Sequence, residues 1–482
     1  MVDLNFVAML TPEIALMVAT LVLLAIGLLI PPGSRKGMFP LTVFALLSIL
    51  AYTCYDFFFG EYGIFLNGMY LHDQFAVFFK ILFLISTLLV VLISPNYVQK
   101  FQAYRGEFYP LLLAATFGMM LMAGAGELIT MYVGLEVMTI SFYILVGYGT
   151  NDGRSAEAGM KYLVLGSASS AILLYGISII YGLTGSTQIM EISYAMQQVI
   201  TPSTILATVF VLAGFGFKIS LIPFHMWAPD IYEGAPTPVT ALLAVASKAA
   251  AFAALIRVYL LMLFSQSVYS QTGITLLIIL ASMTMIMGNL MAIPQKNIKR
   301  LLAYSSIAQA GYIMVGVIAA SVAGVKGVLF YAMIYVFANL GAFSVVIHVG
   351  QAQGSDEIAD YAGLARRSPL AAVVMTASML SLAGIPPLAG FVGKFYIFSA
   401  VMGSGFITIA FIGFIMSMIS VYYYLSVVKV MYSKDGEDLP DIPLSGSSKF
   451  AMTFSFIMIL VIGLYPTPLA QMAMVAARSL LR

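Results

Sequence analysis

KISLIPFHMWAPDIYEGAPTPVT, residues 218–240, starts with a lysine inside an apolar run and then places prolines at 223, 229, 236 and 238. Proline removes a helix donor and clashes with the preceding turn, so no continuous helix crosses this stretch. The flanks, VFVLAGFGF at 209–217 and ALLAVASKAAAFAALI at 241–256, are almost purely apolar. A lysine beside a helix break within such surroundings reads as an interrupted membrane helix. Irregular backbone at membrane depth is tolerated where it is buried in protein or lines a water-filled cavity. The pattern recurs in GIPPLAGFVGKFYIF, residues 384–398, where Pro386 and Pro387 precede Lys394. These two stretches decide the fold class: an all-α integral membrane protein with broken helices at its seventh and twelfth spans.

Composition agrees with that reading. Of 482 residues, 61% are apolar and 9% charged, with a mean hydropathy of +1.01. Soluble proteins carry about 25% charged residues, so this chain has too few to coat a water-facing surface. A net charge of +2 without a long basic stretch argues against a nucleic-acid partner. Cys54 is the only cysteine, and His72, His225 and His348 lie far apart. That excludes a disulfide framework, an iron–sulfur site and a thiolate metal cage, so no metal or cofactor is expected in this chain. The N-terminal MVDLNFVAML lacks a positive leader region and runs into a full-length apolar segment, which reads as retained.

Working outward, fourteen apolar segments are expected, centred near residues 20, 48, 82, 116, 138, 172, 212, 250, 282, 309, 337, 385, 418 and 459. About 20 apolar residues cross the hydrocarbon layer. The odd-numbered loops carry fourteen lysines and arginines, among them Arg35, Lys36, Lys100, Arg105, Arg154, Lys296 and Lys434; the even loops and both tails carry Lys326, Arg478 and Arg482. The positive-inside rule then puts the odd loops in the cytoplasm and both termini outside. The expected location is a cell inner (plasma) or equivalent energy-transducing membrane.

Tyr143-Ile-Leu-Val-Gly147 returns as Tyr312-Ile-Met-Val-Gly316, and the same offset of 169 residues pairs Tyr162 with Tyr331 and His225 with Lys394. An offset of five helices implies repeats of opposite membrane orientation. The expected organisation is one polytopic domain: spans 1–3 over 1–107, a first repeat over 108–262, a second over 272–431, and a last span within 449–482.

Ionisable residues inside these spans carry the candidate chemistry: Glu136 in YVGLEVMTIS, Lys218, Lys248 in LLAVASKAAAF, and Lys394. A charge at the bilayer centre costs at least about 2.5–3.5 kcal/mol on insertion scales, so such groups face a protein interior or a water path. Burial draws lysine's proton affinity towards the neutral range, and a nearby carboxylate opposes it, which suits proton transfer. The competing reading makes each buried pair an interhelical lock. Lys161 and Arg257 lie near helix ends, where snorkelling is expected. Glu127 reads as interfacial, and His348 as structural. Lys299 and Arg300 read as positive-inside anchors.

The stretch 218–240, the Ser247-Lys248 that follows, GIPPLAGFVGKF at 384–395 and YVGLE at 132–136 together resemble the N subunits of complex I-type enzymes and their organellar counterparts (subunit 2). The PFHxWxPD core is shared with the related M and L subunits and with multisubunit cation/proton antiporters; YEGAPTPVT resembles subunit N in particular. The resemblance implies a proton relay through Glu136, Lys218, Lys248 and Lys394, with His225 and Lys161 as secondary members. It implies partners among the membrane and peripheral subunits of a complex I-type assembly, in the lipid bilayer. Quinone, iron–sulfur clusters and flavin or NADH belong to those partner subunits. The alternative is a subunit of a multisubunit Na⁺/H⁺ antiporter or a membrane-bound hydrogenase-type complex.

Overall fold

The computed structural model describes residues 9–31, 37–99, 106–196, 201–263, 267–433 and 441–481, with side chains from 261 to 272 left aside. Arg35, Lys36, Lys100, Arg105, Lys434 and Arg482 lie outside the described residues. The chain is a bundle of helices: α1 Thr11–Leu29, α2 Met38–Phe59, α3 Gln74–Ile93, α4 Phe108–Gly124, α5 Leu128–Val146, α6 Gly153–Thr184, α7 Pro202–Ile219, α8 Trp227–Gly234, and α9 over 237–263. The second part holds α10 Ser267–Ala292, α11 Ile298–Ile318, α12 Val322–Gln353, α13 Pro369–Ala383, α14 Ala389–Gly403, α15 Ile407–Met431, α16 Gly446–Leu464 and α17 Thr467–Leu480. A two-stranded antiparallel hairpin, β1 Gly63–Phe65 and β2 Tyr70–His72, joins α2 to α3, with Ile64 opposite Leu71.

Twelve helices among the described residues are long and apolar enough to cross a membrane. Two expected spans fall short individually: α4, with 17 residues, and the segment centred near 385, which is split into α13 and α14. The split has the cause read from the sequence. Helix α7 ends with Ser220 in the left-handed conformation (φ 61°), and Leu221 donates back to Gly216. Helix α13 ends the same way at Gly384 (φ 84°), with Ile385 donating to Leu380. In both places a proline in a cis peptide bond follows three residues after the left-handed residue, at Pro223 and Pro387.

Burial sorts the helices by role. The apolar windows of α9, α11 and α12 are entirely buried and that of α3 nearly so, whereas α1, α2 and α15 leave most of their residues less than fully buried. Exposed Phe44, Phe58, Phe411 and Phe414 belong to that outer wall, which suits a surface met by lipid tails rather than water. Small residues allow the closest contacts: a Cβ on Gly118 of α4 would lie 2.5 Å from the Met138 nitrogen of α5. Such small-residue contacts are the usual means of packing helices in lipid. The C-terminal part contains two elements, the long α16 and the separate α17, whose Ser479 accepts from the Phe75 N–H at the start of α3.

Candidate functional site

Lys218 lies in the last turn of α7, only 3% exposed. A lysine there faces the negative end of the helix dipole, which favours an ammonium. Its Nζ donates to Thr139 Oγ1 of α5 at 3.0 Å. Thr139 is one helical turn beyond Glu136. Glu136 itself is partly exposed and faces a groove of about 930 Å³ bounded by α1, α4, α5 and α6, with Glu107 and Tyr143 on the same wall. Among the described residues no ion pair within 4.0 Å joins Glu136 to Lys218. Glu136 Oε1 is buried without a hydrogen-bond partner.

Lys248 sits within α9, where a π-helical stretch, Leu243–Ser247, gives way to the α-helical Lys248–Arg257. Single π turns inside helices occur frequently at functional sites. Lys248 donates to Ser306 of α11 and lies 5.7 Å from the Tyr232 ring. Its burial matches that of Lys218.

Lys394 departs from the expected geometry. Seven or eight residues separate Pro387 and Pro386 from Lys394, which in a continuous helix would set it about 11–12 Å from the break. Instead α14 begins at Ala389, and the side chain reaches back to the break. Its Nζ donates to Leu382 O at 2.8 Å, Ala383 O at 3.2 Å and Ser417 Oγ at 2.8 Å, and lies 4.6 Å from the Tyr312 ring. The reason is directional: helical side chains lean towards their own N-terminus, here the broken end. Two of the acceptors are terminal carbonyls of α13, so Lys394, like Lys218, meets the negative end of a helix.

A polar bridge missing from the sequence reading lies between Lys248 and Lys394. Ser305, beside Ser306 in α11, hydrogen-bonds Tyr424. Gln309 donates to the Tyr424 hydroxyl at 3.1 Å and to Leu382 O at 3.1 Å, the carbonyl that also accepts from Lys394. Tyr331 donates to the other end of the Gln309 amide. The signal was present in YSSIAQAGY: three polar residues at 305, 306 and 309 share one face of an otherwise apolar helix.

The secondary residues sit elsewhere. Lys161 is near the start of α6, with a side chain 44% exposed, and pairs with Glu157 at 2.8 Å and Asp230 at 3.2 Å. Arg300 completes this surface cluster, reaching Asp230 at 2.9 Å and Glu233 at 2.8 Å. Partial burial raises the Asp230 carboxyl, but hydrogen bonds from Arg300 and Lys161, together with their charges, hold it below the ordinary carboxylate range. His225 occupies the turn between α7 and α8, half-buried, with a buried Nδ1 that has no hydrogen-bond partner.

Several single readings change. Arg257 does not snorkel: it is fully buried, donating to Ala123 O at 2.8 Å and pairing with Asp73 at 2.7 Å. The Lys248–Arg257 part of α9 packs against α3 and α4, and the enclosed guanidinium takes a carboxylate instead of reaching out to water. Lys299 is more than an anchor at the membrane edge, being buried on Glu233 O at 2.6 Å and Ala235 O at 2.9 Å. It lines a polar cavity of about 510 Å³ with Asp152, Arg154 and Asp356. Glu127 is buried and accepts from Thr130 and Thr187. His348 is buried with Nδ1 on Ser344 O at 2.8 Å, a structural contact within its helix.

Known proteins can be set beside this geometry. The family described as NADH:quinone oxidoreductase/Mrp antiporter, transmembrane, matches residues 125–420. NADH-quinone oxidoreductase subunit N of Desulfitobacterium hafniense is 66% identical, across 98% of this chain and 99% of that protein. A chain of respiratory complex I from Thermus thermophilus superimposes with a TM-score of 0.82 at 33% identity, covering 95% of this chain and 98% of the other. A chain of an archaeal membrane-bound sulfane sulfur reductase reaches 0.89 at 25% identity, covering 99% and 98%. The chain therefore belongs to the NADH:quinone oxidoreductase/Mrp antiporter transmembrane family, in its group of NADH-quinone oxidoreductase N subunits.

Proposed function

We infer that this chain is the proton-translocating membrane subunit of a complex I-type NADH (or other donor):quinone oxidoreductase. It moves protons through buried side chains, driven by redox chemistry in other subunits. The observation that carries the reading is the set of three buried lysines, Lys218, Lys248 and Lys394. Each is held by hydroxyls or helix-terminal carbonyls rather than by a carboxylate. A lysine locked to a carboxylate keeps its proton. One held only by neutral acceptors passes it on more readily.

In this reading Glu136 acts on Lys218 across Thr139, and Lys248 connects to Lys394 through Ser305, Ser306, Gln309 and Tyr424. His225 and Lys161 are secondary, Lys161 standing with Asp230 and Arg300 at the cytoplasmic surface. Together α4 and the α13–α14 pair complete fourteen spans. Residues 108–262 and 272–431 form two inverted repeats, flanked by spans 1–3 over 1–107 and the terminal segment 449–482. The matching left-handed helix ends at Ser220 and Gly384 support the repeat with an offset of 164, which pairs His225 with Ala389 in place of Lys394. Both termini face outside the cytoplasm, in a cell inner or equivalent energy-transducing membrane. Quinone, iron–sulfur clusters and flavin or NADH are carried by partner subunits.

The test is Lys218→Ala in the intact assembly, with quinone reduction and ΔpH formation measured together in proteoliposomes. Loss of protons moved per electron supports the relay; an unchanged ratio rejects it. Membership of a family described as NADH:quinone oxidoreductase/Mrp antiporter favours one other reading, cation/proton exchange. In that case ΔpH formation would depend on Na⁺.

A further inference from the structure

A second group of buried ionisable residues lies apart from the relay, among the first three helices. Lys80, in α3, is fully buried and pairs with Glu13 of α1 at 2.7 Å; Glu13 is 3% exposed. The Tyr70 hydroxyl, from the second strand of the hairpin, donates to the same carboxylate oxygen, and Lys80 stands 5.5 Å from the Tyr70 ring. The other oxygen, Oε2, is buried with no hydrogen-bond partner. The neighbouring charges are the Asp73–Arg257 pair, and the His72–Asp56 pair at 3.1 Å lies at the same hairpin.

Depth separates Lys80 from an ordinary surface charge. Asp73 and Arg257 meet at the end of the bundle where the hairpin lies, and α3 and α9 pack side by side from there. Lys80 follows Asp73 by seven residues and Lys248 precedes Arg257 by nine, which at 1.5 Å per residue puts them about 10 and 13 Å further in. A fourth intramembrane lysine therefore stands near the depth of Lys248, paired with a carboxylate and touching a phenol.

We propose that Glu13, Lys80 and Tyr70 form a further proton-exchange site of this subunit, opening towards the hairpin end of the bundle. The proposal rests on the proton-translocating reading above. Glu13 Oε2 takes up the proton: the paired carboxylate and ammonium become a neutral carboxylic acid beside an ammonium, a gain of one positive charge. Release of the same proton restores the ion pair. Tyr70, bonded to Oε1, orients the carboxyl and links it to the hairpin. A lock between α1 and α3 gives no reason for this arrangement. Apolar side chains join buried helices as well as an ion pair does or better, and a lock has no use for a buried carboxylate oxygen left without a partner.

The experiment uses the whole assembly in proteoliposomes, with Glu13→Gln, Tyr70→Phe and, in parallel, Lys218→Ala. Glutamine keeps an oxygen for Lys80 and Tyr70 and cannot take the proton. The expected result for Glu13→Gln is a lower number of protons moved per electron, together with loss of a carboxylic-acid C=O band from the redox-induced infrared difference spectrum. An unchanged ratio with an unchanged spectrum overturns the proposal. If Glu13→Gln does not assemble, Tyr70→Phe decides, since it leaves the ion pair in place: a lower ratio supports the site and a wild-type ratio overturns it. A defect in Lys218→Ala with none in the Glu13 and Tyr70 variants sinks this inference alone. A normal Lys218→Ala sinks the translocation reading beneath it.

Discussion

The three lysines of the proposed relay differ in how their ammonium groups are held, and that sets what each substitution should do. Lys394 rests on two backbone carbonyls and a serine hydroxyl, all fixed by α13 and α15. Lys394→Ala should remove most proton translocation by this subunit while the complex assembles. Lys394→Arg should fare little better, because a guanidinium holds its proton at any working pH. Measuring electron transfer and ΔpH together in inverted vesicles checks this, and normal pumping by the arginine variant would show that only a fixed charge is needed. Glu136 lacks direct contact with Lys218, so Glu136→Gln should leave assembly intact, as no ion pair is broken, yet lower the proton-to-electron ratio. Fully normal pumping in an assembled complex would reject the electrostatic coupling. All four residues were legible as single letters, since a charge in an apolar run is conspicuous. Lys80 is equally conspicuous in QFAVFFKILF, but neither proline nor motif marks it as functional.

The elements owe their shape to a few positions where the backbone must turn or approach closely. Gly384 adopts φ 84°, which a side chain rarely tolerates, and a Cβ on Gly390 would lie 1.8 Å from Ser381 O. Gly390→Ala should therefore force α14 away from α13, at a cost of about 1–3 kcal/mol for overpacking. Gly403, with nothing within 4 Å of its Cβ position, is the control. Thermal stability of the detergent-solubilised complex should fall for the first and stay level for the second. Helix α11 supplies the bridge, and Gln309→Leu would strip partners from the buried Tyr331 and Tyr424 hydroxyls. An orphaned buried donor costs about 1–3 kcal/mol, and ΔpH formation should fall with it. Proline and glycine showed where these helices break. Which carbonyls Lys394 would meet was not legible, because that depends on how two half-helices overlap.

At the scale of the whole molecule, the lysine and arginine distribution sets the proposed orientation. The loop at 294–297 and the C-terminal residues are proposed to lie on opposite sides of the membrane. With Cys54 replaced by serine, single cysteines at Lys296 and Leu481, both exposed, should label from opposite faces of sealed vesicles. Labelling of both from the same side would break the odd number of spans, five, proposed between these two positions.

Composition and the broken-helix stretches were enough to determine a multi-span helical membrane protein with lysines beside its breaks. Those features follow from local physics: apolar length, the missing proline N–H, and the cost of a charge in lipid. The tertiary structure decided how the charges are shared out. Glu136 faces a groove beyond ion-pair reach of Lys218, Arg257 takes Asp73, Lys80 takes Glu13, and Gln309 joins α11 to Tyr424 and to the end of α13. Partners in these contacts lie from 67 to 184 residues apart in the chain. Pairing of this kind is set by helix packing, because a buried charge or amide must take whatever partner the neighbouring helix presents.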